Sequence, residues 1–227
     1  MSNVKVNGNT YSGVTSVKLP LADGNGYATY TEGAVTDNMT NALLDGSISG
    51  NITNEEILTV SLNCFLKCSV GTLNFPNAVK MRGSAQGIVA ENILLPKVSS
   101  IDKAAVPAFR DAVISGTVDL SGMPYMVGMG LNQTFYGATI GTVKLGKTVK
   151  HNGVFQNATV TNVVWGLDSF SNEQPDIAGI QGLGSTGAKI TNAYVADSVY
   201  EQVKALMDNG TLTTVTNLYK ISQWRDA

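Results

Sequence analysis

The chain is 227 residues long, only 14% of those residues are charged, and the formal net charge at pH 7 is −2. This length can bury a substantial core, while the low charge and the lack of a basic stripe argue against a nucleic-acid partner. No apolar stretch approaches the roughly 20 residues of a membrane-spanning helix, so no membrane insertion is expected. The first residues show neither a basic segment nor an apolar run, which predicts synthesis in the cytoplasm without a signal peptide.

Residues 1–32 are predicted to form a small β module. The dipeptide Asn7-Gly8 lies between two short runs of strand-forming residues and suits the positive φ angles of a tight hairpin turn. A second strand pair is predicted over residues 14–19 and 27–30, on either side of a segment rich in turn residues. Because the module has too little apolar surface to be stable alone, we expect it to dock on a partner chain or on the next domain.

The next segment, residues 33–56, is predicted to be a polar connector because it is rich in residues that favour turns. A repeat domain is predicted to follow over residues 57–195. Residues 59–62 are interpreted as its irregular first repeat, since the terminal repeats of such domains are atypical.

A four-residue phrase recurs through this domain, and we call it the repeat phrase. Its first residue is Thr or Asn, its second and fourth residues are apolar, and its third residue varies. The copies start 20, 25, 25, 20 and 30 residues apart, which is typical of stacked supersecondary units and predicts a mainly β solenoid with short helices. The six copies are residues 72–75, 92–95, 117–120, 142–145, 162–165 and 192–195.

A second signal lies eight or nine residues before the second position of the phrase. An aromatic residue or Ala at that point is followed three residues later by a small or apolar residue. We expect the aromatic ring to fill the interior opposite the strand and the later residue to lie on the same face of a short helical turn. The pairs are Phe65 and Cys68, Ala85 and Ile88, Phe109 and Ala112, Phe135 and Ala138, and Phe155 and Ala158.

Stacking of the repeats predicts two columns of side chains. The Thr and Asn residues at the first phrase position are expected to hydrogen-bond from one repeat to the next. The third position alternates with the two buried positions and therefore points outward. This outward column is the candidate surface-binding site: Asn74, Leu94, Asp119, Lys144, Val164 and Tyr194.

The end of the chain, residues 196–227, is predicted to form a cap. Apolar residues at 199, 203, 206 and 207 fit one face of a helix, with Asp197 or Ser198 as its N-cap and Asn209-Gly210 at its end. A closing strand is predicted over residues 211–221, with Trp224 pinning the terminus. Helix and strand would cover the last open edge of the sheet.

Two resemblances extend this interpretation. The repeat phrase with its upstream Phe-x-x-Cys or Phe-x-x-Ala resembles the BspA-type (Treponema-type) leucine-rich repeat over roughly residues 57–225. Residues 194–201 (Tyr-Val-Ala-Asp-Ser-Val-Tyr-Glu) are similar to the helix that commonly closes such arrays, with Ala196 in place of the usual Pro. Residues 6–14 and 19–27 resemble a short β module of structural proteins of phages and prophages of gut Firmicutes.

Together the resemblances imply a non-enzymatic virion protein, such as a fibre, tail or head decoration, that displays repeats for adhesion. Residues 1–32 would attach it to other virion proteins, and the repeats would bind a host surface glycan or protein. A homo-oligomer, with a trimer by analogy to fibres, fits this class. The alternatives are a saccharide-degrading tail enzyme and a bacterial surface adhesin exported by an unconventional route.

No metal or cofactor site is expected. Residues 23–26 (Asp-Gly-Asn-Gly) match only part of a calcium loop and are better explained as a tight turn. Cys64 and Cys68 would need two further ligands to hold zinc, and His151 is the only histidine. Buried thiols are therefore the favoured interpretation.

No catalytic residue is assigned either. A lone histidine identifies no triad, and no nucleophile elbow accompanies it. Glycoside cleavage needs two acids within about 5–10 Å on one face, and Asp119 is the only acid in the outward column. The remaining acids are expected in turns and caps: Asp102, Asp111, Asp168, Glu173 and Asp176.

Aromatic residues offer a possible binding patch for a sugar or a protein. Trp165 occupies an inward phrase position and is expected in the core, whereas Tyr194 and Tyr136 are the better surface candidates. Tyr125 and Trp224 complete the aromatic set considered.

Overall fold

The fold is mainly β and is built around a mostly parallel sheet, as a computed structural model shows. The described residues are 2–6, 9–14, 16–20, 27–31, 51–55, 57–60, 65–81, 85–101, 107–123, 133–147, 153–166 and 183–225. One α-helix, α1 (Tyr200–Asp208), and one 3₁₀ turn (Ile221–Gln223) occur in these ranges. The mainly β class predicted from sequence is confirmed.

Sixteen strands are found in the described residues. They are β1 (Ser2–Val6), β2 (Asn9–Val14), β3 (Ser16–Pro20), β4 (Tyr27–Thr31), β5 (Ile52–Thr53), β6 (Thr59–Val60), β7 (Thr72–Asn74), β8 (Lys80–Met81), β9 (Val89–Ala90), β10 (Asn92–Leu94), β11 (Ser100–Ile101), β12 (Val113–Leu120), β13 (Thr139–Leu145), β14 (Thr159–Trp165), β15 (Lys189–Val195) and β16 (Val215–Lys220).

The main sheet contains eleven of these strands. Its order is β16-β15-β14-β13-β12-β10-β7-β5-β1-β2, and β9 also pairs with β12. Every pair from β5 to β16 is parallel, whereas β1 and β2 are antiparallel to their neighbours. A three-stranded parallel sheet, β11-β8-β6, and an antiparallel pair, β3 with β4, complete the strands.

The register of the main sheet follows the repeat phrase. First positions align with first positions, for example Thr142 with Thr117 and with Asn162. The second and fourth positions of all six predicted copies are buried in one continuous hydrophobic core, as predicted from the two-residue period of a strand. Apart from one extra residue within β12, the spacings of 20, 25 and 30 residues therefore differ outside the strands that pair.

The opposite side of the core contains the predicted aromatic residues. Phe109, Phe135 and Phe155 are fully buried and form a stack, with ring centroids 5.2 and 5.3 Å apart and interplanar angles of 13° and 11°. The small or apolar residue three positions after each member of this series is also buried. The predicted burial of both residues of each pair is confirmed.

The local geometry at these positions is a β-turn, so the predicted helical turn is wrong. The amide of Ala138 donates to the carbonyl of Phe135 at 3.1 Å, and Gly137 between them has φ +66°. A left-handed residue at this point is incompatible with a right-handed helix. The equivalent residues have φ between 54° and 72°: Lys67, Gly87, Asp111, Asn157 and Gly187.

The N-terminal strands form the two predicted antiparallel pairs. β1 and β2 pair antiparallel, with Val6 facing Asn9. The predicted turn residues Asn7 and Gly8 lie outside the described residues. β3 and β4 pair separately. β1 also pairs with β5, so the pair of β1 and β2 extends the main sheet. Residues 23–26 and most of the connector lie outside the described residues.

The first repeat was misassigned from the sequence. Thr59–Val60 does not join the main sheet but pairs with Lys80–Met81 in the three-stranded sheet. The strand that precedes Thr72 in the main sheet is Ile52–Thr53, which the sequence assigned to the connector. The side chain of Asn51 accepts a hydrogen bond from the Thr72 amide at 2.8 Å, so residues 51–54 begin the series.

The C-terminal helix and closing strand are confirmed, but the predicted N-cap is wrong. The cap residue of α1 is Val199, and no side chain caps the helix. Asp197 instead accepts hydrogen bonds from Ser222, which draws its carboxylate away from the helix amides. The helix ends at Asp208 with Asn209 as its C-cap, and Gly210 follows with φ +78°, in agreement with the predicted end at Asn209-Gly210.

The bulge in β12 explains why Phe109 precedes the second position of its phrase, Val118, by nine residues, whereas the equivalent distance in the other repeats is eight. Ser115 and Gly116 together face Gly141 on β13, where the register shifts. The extra residue turns the Ser115 carbonyl toward Gly141, where a Cβ atom would collide with that oxygen and lie 2.8 Å from the Gly116 oxygen. Only glycine fits beside the bulge.

We expect Gly141→Ala to lower the free energy of unfolding by about 1–3 kcal/mol, because both obstructing atoms are backbone atoms of a paired strand. Urea denaturation provides the measurement. Gly210→Ala is the matched control, since nothing lies within 4 Å of its added Cβ and only the positive φ opposes it, at a cost of about 1 kcal/mol. Equal losses in the two variants would contradict the proposed collision.

Candidate surface-binding face

The structure brings the outward column together on one face of the main sheet. In the paired strands, Asp119 aligns with Lys144, Lys144 with Val164, and Val164 with Tyr194. Asn74, Leu94, Asp119, Lys144 and Tyr194 are half-buried. The column is thus a continuous strip of side chains opposite the hydrophobic core.

Val164 departs from the prediction of an outward, accessible side chain. It is 7% exposed, although it does not belong to the core cluster. Its register neighbours, Lys144 and Tyr194, carry longer side chains that can cover a valine lying between them. The Val164 side chain is therefore almost inaccessible and adds little to the accessible surface of this face.

The sequence prediction missed the last member of the column. Residues 217–220 (Asn-Leu-Tyr-Lys) are a further copy of the phrase, aligned with residues 192–195. Lys220 at the fourth position, where every other copy in the sequence is apolar, concealed it. The 25-residue step from Asn192 to Asn217 was the available signal. This copy places Tyr219 beside Tyr194 on the outward face.

Three aromatic rings meet at this end of the column. Tyr194 and Tyr219 stack with centroids 5.0 Å apart, and Trp224 meets Tyr194 edge-on at 4.8 Å and 72°. All three side chains are half-buried, and none belongs to the hydrophobic core. We call these three residues the aromatic platform. Alongside, the Lys220 ammonium lies 5.3 Å from the centre of the Tyr200 ring.

Hydrogen bonds fix the segment that carries Trp224. The Asp197 carboxylate accepts from the Ser222 amide at 3.2 Å and from its hydroxyl at 2.7 Å. The Lys220 amide donates to Gln223 Oε1 at 2.8 Å, which closes the 3₁₀ turn. The hydrogen bonds from Ser222, assisted by the charge of Lys220, hold the pKa of Asp197 below its ordinary value.

This contact predicts a pH dependence confined to the C-terminal turn. A carboxyl whose pKa is depressed in the folded state adds stability above its unfolded pKa, and that stability is lost as the pH falls through the folded value. We therefore expect the turn to loosen below about pH 3.8. Amide hydrogen exchange at Ser222 and Trp224 as a function of pH provides the measurement.

Ser222→Ala is the control for this effect. It removes the hydroxyl bond, which is the largest cause of the shift, so the loosening should move toward higher pH. The same midpoint in both proteins would show that Asp197 is not the group responsible.

The other candidate residues are dispersed over the fold. Cys68 and Trp165 are both buried in the core, as predicted. Asp119 accepts a hydrogen bond from the Ser121 amide at 2.9 Å, and Asp111 lies in an exposed turn beside Arg110 at 3.3 Å. Residues outside the described ranges are Cys64, Asp102, Tyr125, His151, Asp168, Glu173 and Asp176.

Tyr136 lies in a turn, apart from the outward column. The Arg110 guanidinium is 5.2 Å from the centre of its ring, and the Asn157 side chain donates to its hydroxyl at 3.3 Å. Its hydroxyl and ring are therefore engaged by neighbouring turns. It does not join the aromatic platform.

The described residues show neither a metal-binding cluster nor a membrane-spanning helix. They contain no group of three or more His, Cys, Asp or Glu side chains arranged to hold a metal ion. No helix among them is long and apolar enough to cross a membrane. Comparison of the chain with protein-family models, curated proteins and solved structures finds no match.

Proposed function

We propose that this chain is a non-enzymatic structural protein of a phage virion, in which a degenerate leucine-rich-repeat-like solenoid is displayed for binding to a surface. The observation that carries the binding role is the outward column. Its side chains lie in register across the parallel strands on the face opposite the core, yet they share no chemistry. Such a face can change its ligand without disturbing the fold.

The hydrogen bonds between repeats support the solenoid. On the strand side, Asn92 donates to Thr72 at 3.0 Å, and Asn192 donates to Asn162 at 2.9 Å. On the turn side, the amide of Asp111 donates to the carbonyl of Tyr136, one repeat later, at 2.8 Å. Each repeat is thus bonded to the next on both sides of the core, as in a stack of equivalent units.

The virion assignment rests on the sequence of residues 1–32 and its resemblance to modules of phage structural proteins. In that proposal the module contacts other virion proteins. The arrangement of its strands is compatible with attachment, because β2 forms one edge of the main sheet and β3 pairs only with β4 in the described residues. An edge strand offers unpaired backbone groups to a partner.

Mass spectrometry of purified virions tests the assignment. We expect peptides of this chain in particles purified on a density gradient, and their loss from particles when residues 1–32 are deleted. A deletion variant that keeps the same melting transition as the full chain would show that assembly failed for lack of the attachment module. Detection of the chain only as free protein in the lysate would overturn the proposal.

A further inference from the structure

The aromatic platform is not explained by the stability of the core. Tyr194, Tyr219 and Trp224 lie on the outer face, outside the core cluster, and each is only half-buried. The three rings adjoin on the outside of the sheet, and each keeps part of its surface in contact with water. Adjoining aromatic side chains that remain partly accessible on an outer face are typical of an interaction site.

The platform is held in place before any ligand arrives. The two bonds between Asp197 and Ser222 tie the C-terminal turn to the segment after β15. The Arg225 guanidinium adds bonds to the carbonyls of Ser222 and Trp224 at 2.9 and 2.8 Å. A site fixed in this way loses little conformational entropy on binding, which favours affinity.

The chemistry of the platform selects its ligand. The three side chains offer π faces together with phenol and indole hydrogen-bonding groups, and none of them is charged. The charged groups around the platform have partners, since Lys220 lies against the Tyr200 ring, Asp197 binds Ser222, and Arg225 donates to the carbonyls of Ser222 and Trp224. A fitting ligand is neutral, has a flat face of C–H groups and carries hydroxyls around its edge.

We propose that the aromatic platform binds a neutral saccharide, with a pyranose ring stacked on the exposed aromatic surface. The partially positive C–H groups of a pyranose face the negative π surface, and its hydroxyls bond water and the Tyr hydroxyls at the rim. This inference rests on the proposed surface-binding function and names the ligand class. The column of repeats would then accommodate further sugar units of the same chain.

Fluorescence titration tests the inference, because the chain contains only two tryptophans. Trp165 is in the core, so a Trp165→Phe protein reports on Trp224 alone. The probes are cellohexaose, mannohexaose, xylohexaose and chitohexaose, all neutral. We expect a saturable change in Trp224 emission with at least one of them, and the same Kd by calorimetry on the unmodified chain.

Matched variants locate the site. Tyr194→Ala and Trp224→Ala should each weaken binding by about tenfold or more, because each removes a stacking surface. Tyr194→Phe keeps the ring and should bind within about threefold of the parent. Tyr136→Ala, which removes an aromatic ring far from the platform, should leave binding unchanged. Melting curves identify any variant that fails to fold, and the other alanine variant of the platform then decides whether it is the binding site.

The inference is wrong if the folded chain binds none of the probes. It is also wrong if binding survives both Tyr194→Ala and Trp224→Ala. Capture of a host surface ligand that protease treatment destroys would likewise replace a saccharide by a protein partner. Detection of the chain in virions is independent of these outcomes, so the saccharide inference can fail while the proposed virion function stands.

Discussion

Replacing Phe135 by alanine is expected to lower the free energy of unfolding by about 3–5 kcal/mol. Its ring is fully buried between Phe109 and Phe155, at centroid distances of 5.2 and 5.3 Å. Removal leaves a cavity in the middle of the stack and exposes a face of each neighbouring ring to it. Relaxation is limited because the backbone on both sides is hydrogen-bonded to the adjacent repeats.

The measurement is urea denaturation of Phe135→Ala, Phe135→Leu and Tyr136→Ala. The leucine variant keeps most of the volume and should lose about half as much or less. Tyr136 is the next residue along the chain but is only half-buried, so its truncation should cost roughly 1 kcal/mol. A loss at Phe135 no greater than at Tyr136 would contradict a central role for the Phe stack.

The second large effect is expected at Asn92, which links three repeats. Its side-chain amide donates to Thr72 Oγ1 at 3.0 Å, and its carbonyl oxygen accepts from the Thr117 amide at 2.8 Å. We expect Asn92→Ala to cost about 2–3 kcal/mol, because the Thr117 N–H loses its partner in a partly buried position. Thermal denaturation should show a shift of about 2–4 °C for each kcal/mol in a chain of this length.

Two further variants separate the bonds. Asn92→Asp keeps the acceptor for Thr117 but loses the donor to Thr72, so an intermediate loss is expected. Asn217→Ala removes an exposed residue of the same series, whose side-chain amide donates to Asn192 Oδ1 at 3.0 Å, and should cost about 1 kcal/mol or less. Equal losses of stability at Asn92 and Asn217 would show that the contribution of these hydrogen bonds between repeats does not depend on burial.

The virion assignment and the saccharide inference belong to different parts of the chain. The first concerns residues 1–32, and the second concerns the aromatic platform near the C-terminus. A phage protein arranged in this way would place attachment and recognition at opposite ends of one sheet, because β2 and β16 are its two edge strands. The two experiments can therefore succeed or fail separately.

The sequence by itself determined the periodic part of this fold. A strand has a two-residue side-chain period, so the apolar second and fourth positions of the phrase had to face one core, and recurrence at similar spacing had to align them. The same recurrence aligns the Thr and Asn residues at the first position, and the hydrogen bond from Asn192 to Asn162 confirms the expected bonding from one repeat to the next. These features are local and repeated, so they can be predicted from a single sequence.

Only the tertiary structure decided what depends on neighbouring repeats. Ile52–Thr53 was assigned to the connector, and the closing strand Val215–Lys220 was not recognised as a further copy of the phrase. Both depart from the phrase and are identified by their pairing with β7 and β15. Val164 is 7% exposed although its position in the phrase predicts an outward side chain, and its register neighbours are the longer Lys144 and Tyr194. The aromatic platform joins residues 25 and 30 positions from Tyr194. Their proximity arises from strand register and a hydrogen-bonded turn, and therefore exists only in the folded chain.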